Sequence, residues 1–190
     1  TLIVPGNHDV DWGGKARLES SKIRSFVEEE KNLYLQQELR CMRNFFSFSD
    51  RNGCFFPYWR NIPFGQLVTR KILHFDNGYR IEANLINTAP FSCSSDDGLH
   101  YLPEDAIHSL NAESKADFSL VVMHHSPDWF EFSQKKELEG ILAKRCSLAF
   151  FGHEHFPGTQ NILYDNGNRI VKQAGGAWWQ SSVPTVSEYY

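Results

Sequence analysis

Apolar residues fall along this chain in short continuous runs that stop abruptly at polar, histidine-bearing loops. Leu2-Ile3-Val4 ends at Pro5-Gly6 and is followed by Asn7-His8-Asp9. Ser119-Leu120-Val121-Val122-Met123 runs into His124-His125-Ser126-Pro127, and Ser147-Leu148-Ala149-Phe150-Phe151 runs into Gly152-His153-Glu154-His155. Runs of this length, bounded by turn residues, read as buried strands. In open α/β sheets ligands gather outside the carboxyl ends of strands, so the pattern places chemistry at all three loops.

Between these runs the period changes. From about Lys15 to Phe48, Leu18, Ile23, Phe26, Val27, Leu33, Leu35 and Leu39 recur at roughly helical spacing, which predicts two helices that break near Lys31-Asn32 and cover a sheet. Phe55 to Phe64 is an aromatic loop that either lines a cleft or packs over those helices. Val68 to Phe75 and Tyr79 to Ala89 read as strands joined at Asp76-Asn77-Gly78, a strong hairpin signal. Pro103-Glu104-Asp105 opens a helix through Leu110, and a second runs from about Lys135 to Lys144. Ile162-Leu163-Tyr164 and Arg169-Ile170-Val171 flank another turn at Asn166-Gly167. Strands that alternate with helices and then pair as hairpins predict a mixed α/β domain with helices outside.

Composition adds mostly exclusions. The 190 residues are enough for one domain with its own core, and the net charge of −4 without a basic block gives no nucleic-acid footprint. Cys41, Cys54, Cys93 and Cys146 show no CxxC spacing, against a zinc knuckle or redox pair, and isolated thiols fit a reducing cytoplasm. No apolar run reaches membrane-spanning length, and no signal peptide is visible. The chain begins without Met, inside the first apolar run, which reads as a piece of something longer.

The loop residues Asn7, His8, Asp9, His124, His125, His153 and His155 combine imidazoles with a carboxamide and a carboxylate, a set that suits Zn, Mn, Fe or Ni. His153 and His155 share a face on a strand, or reach different ions from a turn. Two ions about 3.5–4 Å apart are the usual apparatus of phosphate-ester hydrolysis. A lone His at a strand end is more often a hydrogen-bonded surface group, but three such ends together are hard to assign to chance. His74, His100 and His108 lack that context and read as structural, and Glu154 reads as solvated.

These residues carry a family resemblance. Gly6-Asn7-His8-Asp9, His124 after an apolar run, and Gly152-His153-Glu154-His155 resemble, in order and separation, the last three of five motifs of calcineurin-like metallophosphoesterases. The hairpin, the Ser/Asp-rich loop from Pro90 to His100 and the helix before His124 also look like the family's bacterial cyclic-nucleotide-phosphodiesterase-type members. The resemblance implies a four-layer α/β/β/α sandwich of two mixed sheets and two divalent metal ions. By the same resemblance Asn7, His124 and His153 ligate the second metal and His155 the first. His8 assists the leaving group, Asp9 orients His8, and the nucleophile is a hydroxide on the metals. His124 is preferred to His125 as ligand because it directly ends its run, leaving His125 as a phosphate contact. The implied substrate is a phosphorylated small molecule or nucleotide.

The family's first two motifs, Asp-x-His and Gly-Asp, occur nowhere in the sequence. They would supply most of the first metal site and the carboxylate that bridges the ions. An N-terminally truncated domain, missing a βαβ portion, is the simplest expectation, and the chain alone is then a weak or inactive hydrolase. Two rivals stand beside that reading: a nuclease of the same fold, and a non-catalytic sensor or interaction module.

Overall fold

A computed structural model describes residues 1–11, 18, 20–54, 66–92, 98–154, 157–164 and 167–175. Its helical segment opens the chain as α1 (Ser20–Ser25), α2 (Glu28–Arg40) and α3 (Arg43–Arg51). The break expected near Lys31-Asn32 is not there. Asn32 donates from Nδ2 to the Glu28 carbonyl at 3.0 Å, so its side chain braces the helix instead of ending it. The real boundary lies before Glu28-Glu29-Glu30, acids that favour a helix N-terminus, with Glu30 accepting the Val27 N–H at 3.1 Å.

The sheet follows. β1 (Val68–His74) and β2 (Arg80–Ile86) form the expected antiparallel hairpin, registered from Val68↔Ile86 to His74↔Arg80. Gly78 takes φ 83°, the left-handed conformation that this turn needs and that only glycine adopts freely. Then come α4 (Glu104–Leu110), β3 (Phe118–Met123), α5 (Phe132–Arg145), β4 (Leu148–Phe151), β5 (Gly158–Leu163) and β6 (Arg169–Ala174). Strand order is β1-β2-β3-β4-β6-β5, with β2, β3, β4 and β6 parallel to their neighbours and antiparallel pairs at both edges. α4 and α5 lie in the crossovers from β2 to β3 and from β3 to β4, and β5 lies in the connection between the parallel β4 and β6.

This is the mixed α/β architecture read from the sequence. The described strands form one six-stranded sheet, so the second sheet of the expected four-layer sandwich is not found among the described residues. Leu2-Ile3-Val4, expected as a buried strand, is half-buried and carries only a bridge position at Leu2. β2 stops at Ile86 instead of Ala89, which leaves Asn87, Thr88 and Ala89 as a buried loop. The aromatic loop 55–64 and the tail beyond Gly175 lie outside the described residues.

The core joins Leu35, Leu39, Met42 and Phe46 of the helical segment to Ile86, Val121, Met123 and Leu142 around the sheet. No helix among the described residues is long and apolar enough to cross a membrane.

The parallel register aligns three strand ends, Ile86 beside Met123 and Met123 beside Phe151, so the loops after β2, β3 and β4 emerge along one edge. Burial in β2 is what holds that edge together. Leu85→Ala, at a fully buried position, should lower the unfolding free energy by about 2–5 kcal/mol in urea titrations. Leu163→Ala, at a side chain 72% exposed on the edge strand, should change it by no more than about 0.5 kcal/mol.

Candidate metal centre

The N-terminal segment reaches the sheet edge as a short 3-10 turn, Asn7–Asp9. The Asp9 carboxylate accepts the Gly6 N–H at 2.8 Å, which closes the turn. Val10 is buried in the core and Asp11 donates its N–H to the Cys41 carbonyl at 2.8 Å, pinning the segment to the junction of α2 and α3. Although much of Asp9 is exposed, the inward-turned carboxyl loses water and its pKa is raised, against the pull of the Gly6 N–H and of nearby His8.

β3 delivers the second donor. Val121 and Met123 are buried on one face while Leu120 and Val122 are half-buried on the other. His124 continues the half-buried face and His125 the buried one. The His124 ring is wedged between two glycines. A β-carbon on Gly6 would stand 2.6 Å from His124 Cε1, and one on Gly152 would stand 2.6 Å from its Nδ1. Neither distance is possible, so both positions must be glycine for the ring to lie there.

β4 delivers the third. Gly152 extends the ladder with an N–H to the Met123 carbonyl at 3.2 Å. His153 then adopts φ 59°, an uncommon conformation for a residue with a side chain, in a tight turn closed by the Glu154 N–H on the Gly152 carbonyl at 2.6 Å. Glu154 is not solvated as the sequence suggested. Its Oε1 accepts the Ser126 hydroxyl and the Trp129 indole N–H, both at 3.2 Å, and so ties the His153 turn to the loop after β3.

The three segments meet. His124 Nε2 lies 2.8 Å from Asn7 Oδ1 and 3.1 Å from His153 Nδ1, and His153 Nδ1 lies 3.3 Å from Asn7 Oδ1. Ligands about 2.0–2.2 Å from a tetrahedral ion stand roughly 3.3–3.6 Å apart, so a few tenths of an ångström of opening would seat one. Protons serve the triangle less well. If both imidazoles donate to Oδ1, their N–H groups face each other, so at most two of the three contacts are hydrogen bonds. A divalent cation satisfies all three at once, and the donor set fits such an ion.

His125 also lies close, since donor atoms of His124, His125 and His153 all fall within 4.8 Å. Its nitrogens are committed elsewhere. Nδ1 is 2.9 Å from Thr88 Oγ1 and Nε2 is 3.5 Å from Ser92 Oγ, and the residue is fully buried. Burial, reinforced by neighbouring His100, His124 and His153, pushes its pKa well below the usual histidine range, so it stays neutral. Direct phosphate contact by His125 does not fit this placement, because no substrate atom reaches a ring sealed on both nitrogens. Asn7, with the shorter distances and a half-buried position, is the better third donor.

His8 faces outward, lining with Asp9, Val10, Asp11, Asn44, Phe45 and Phe48 a cleft of about 320 Å³. Asp9 is near enough to attract His8, but its hydrogen bond to Gly6 makes it first a brace of the turn. His155 lies outside the described residues. His100, read as structural, is buried with Nε2 donating to the Thr88 carbonyl at 2.7 Å. Exposed His108 faces Glu137 at 3.3 Å. Sequence reasoning missed Thr88, Trp129 and the tethering role of Glu154. Thr88 was findable in principle, since it follows a strand end as His124 does.

Residues 1–157 match the calcineurin-like phosphoesterase family, and the chain belongs to it. Members hydrolyse phosphorylated substrates and typically work with two metal ions. No curated protein matches the chain.

Crowding around His124 makes a direct prediction. Gly6→Ala and Gly152→Ala should each displace the ring and weaken Zn²⁺ binding by about 10–100-fold in calorimetric titration. Gly140→Ala, in a helix position with open space around it, should leave affinity unchanged.

Proposed function

We propose that this chain hydrolyses phosphate esters of small or nucleotide-like molecules, as a phosphodiesterase or phosphatase, with Asn7, His124 and His153 sharing one divalent cation. The observation that carries the reading is the mutual approach of their three donor atoms, none more than 3.3 Å from another. That cation is the second metal of the pair, and His155 is assigned to the first, on the family resemblance of its motif. Manganese, iron and zinc all suit this donor set. When bound, such ions polarise a phosphoryl oxygen and acidify water.

The protein's own part is placement. Asn7 and the two imidazoles fix where the phosphoryl group sits. His8, next to Asn7 and open to the cleft, donates a proton to the departing oxygen as the ester bond breaks. Asp9 holds the turn that carries both residues.

These 190 residues hold neither Asp-x-His nor Gly-Asp, so His155 is the sole recognised ligand of the first site. One imidazole does not retain an ion where about three protein ligands are usual. Turnover by these 190 residues is accordingly weak.

Calorimetry with Mn²⁺ and turnover of a chromogenic phosphodiester separate the roles. His124→Ala and His153→Ala should each abolish cation binding. His8→Ala should keep the cation while cutting turnover by about 10²–10⁴-fold. Loss of metal in proportion to activity on His8→Ala would make His8 a ligand and overturn its assignment. The 190-residue chain should also run far slower than a version extended upstream with Asp-x-His and Gly-Asp. Equal rates would show a complete site built from unrecognised residues.

A further inference from the structure

Behind the converging donors lies a second layer of side chains that the proposed hydrolysis leaves unused. Thr88 stands just past the end of β2, His125 follows His124, and His100 lies between them, none more than 1% exposed. Thr88 Oγ1 accepts the His125 backbone N–H at 3.2 Å and lies 2.9 Å from His125 Nδ1. A hydroxyl has one proton to give. Its oxygen has two lone pairs, so while it accepts from the backbone it also either gives that proton to Nδ1 or accepts the Nδ1–H, and the ring is held in both tautomers, with Nε2 facing Ser92 Oγ. The Thr88 carbonyl meanwhile accepts the Nε2–H of His100 at 2.7 Å, and the His100 ring packs against that of His125 with centroids 4.2 Å apart. One threonine thus holds His125 by backbone and by ring, and also holds the ring behind it.

His125 is in turn the wall on which two proposed ligands rest. Its ring centroid is 4.8 Å from that of His124, nearly perpendicular at 88°, and 4.7 Å from that of His153. The peptide between His124 and His125 is planar, so fixing the direction of the His125 N–H also fixes the plane leaving the His124 Cα. Gly6 and Gly152 crowd the same His124 ring. The ring is therefore held both by the absence of β-carbons at two glycines and by a hydroxyl-anchored imidazole.

We propose that Thr88 is a positioning residue of the metal centre, its hydroxyl locking the His125 peptide and ring so that His124 Nε2 and His153 Nδ1 point at a shared divalent cation. This rests on the metal-site reading above, and neither Thr88 nor His125 is itself a ligand. Groups that orient ligands from behind typically change metal affinity by about 10–100-fold when removed. A threonine that only filled space would affect stability and leave affinity and coordination geometry alone.

Cobalt(II) reports both, through calorimetry and its visible absorption bands. The 190-residue chain, Thr88→Ser and Thr88→Val are titrated side by side, with circular dichroism to establish folding. Thr88→Ser keeps the hydroxyl and should retain the wild-type spectrum and an affinity within about 3-fold. Thr88→Val keeps the shape but can neither give nor accept a proton, so it should bind about 10–100-fold more weakly, with altered bands. Wild-type affinity and bands in Thr88→Val would overturn the proposal while leaving the metal site standing. A wild-type chain that takes up no Co²⁺ would overturn the metal-site reading and this proposal with it. Should Thr88→Val fail to fold, nitrogen-15 NMR of the wild-type imidazoles decides. A His125 Nδ1 shift typical of a hydrogen-bonded nitrogen supports the arrangement, and the shift of a nitrogen without a hydrogen bond overturns it.

Discussion

The constraint on which the rest depends is the space around one imidazole. His124 lies where a β-carbon on either Gly6 or Gly152 would collide with its ring at 2.6 Å. Three segments far apart in sequence are drawn together there, Asn7 with His124 across 117 positions and with His153 across 146. Closing loops of that size costs chain entropy that three polar contacts do not repay. The core must offset it. Burial of Val10, Met123 and Phe151, each within a few residues of a donor, fixes the backbone and leaves the side chains little choice.

Close approach also has a conformational cost. His153 turns through φ 59°, a region that non-glycine residues occupy at a penalty of order 1–3 kcal/mol when the surroundings insist. Here the surroundings can be named. Gly152 is hydrogen-bonded back into the ladder at Met123, and Glu154 is tied to Ser126 and Trp129. The Trp129 ring also meets the His153 ring edge-on, with centroids 4.1 Å apart. The strained residue is clamped on both sides, as expected where geometry serves a site and not the fold.

Much of this was legible in the sequence, for a physical reason. Strands paired in parallel on both sides, as β3 and β4 are, read as continuous apolar runs even where one face is only half-buried, and polar residues at their carboxyl ends stand out sharply, which is why His124 and His153 drew notice. The run before Asn7 gave the same signal without forming a strand, because a half-buried segment need not pair along its length. His125 was misplaced although strand parity assigns it to the face of Val121 and Met123, both fully buried. Thr88 stayed hidden because β-branched threonine looks like more strand, and β2 was drawn three residues too long. Glu154 was read from its alternation with the flanking histidines, but a turn at His153 abolishes alternation.

Donor charge finally bears on what such a site attracts. Asn7, His124 and His153 bring no negative charge, and the Glu154 carboxylate is occupied by Ser126 and Trp129. A cation held by Asn7, His124 and His153 therefore keeps nearly its full charge for an incoming phosphate, where a carboxylate-rich set would have neutralised part of it. The rest of the molecule works the other way, since a net charge of −4 repels anions at long range. Screening confines that repulsion, with a Debye length of about 8 Å at physiological salt. Attraction at the site is short-ranged and strong while repulsion is diffuse and weak. Such a balance disfavours extended polyanions, which meet the net negative charge of the whole molecule, and spares compact phosphate esters that reach the sheet edge alone. That is a physical reason to favour small substrates over nucleic acid.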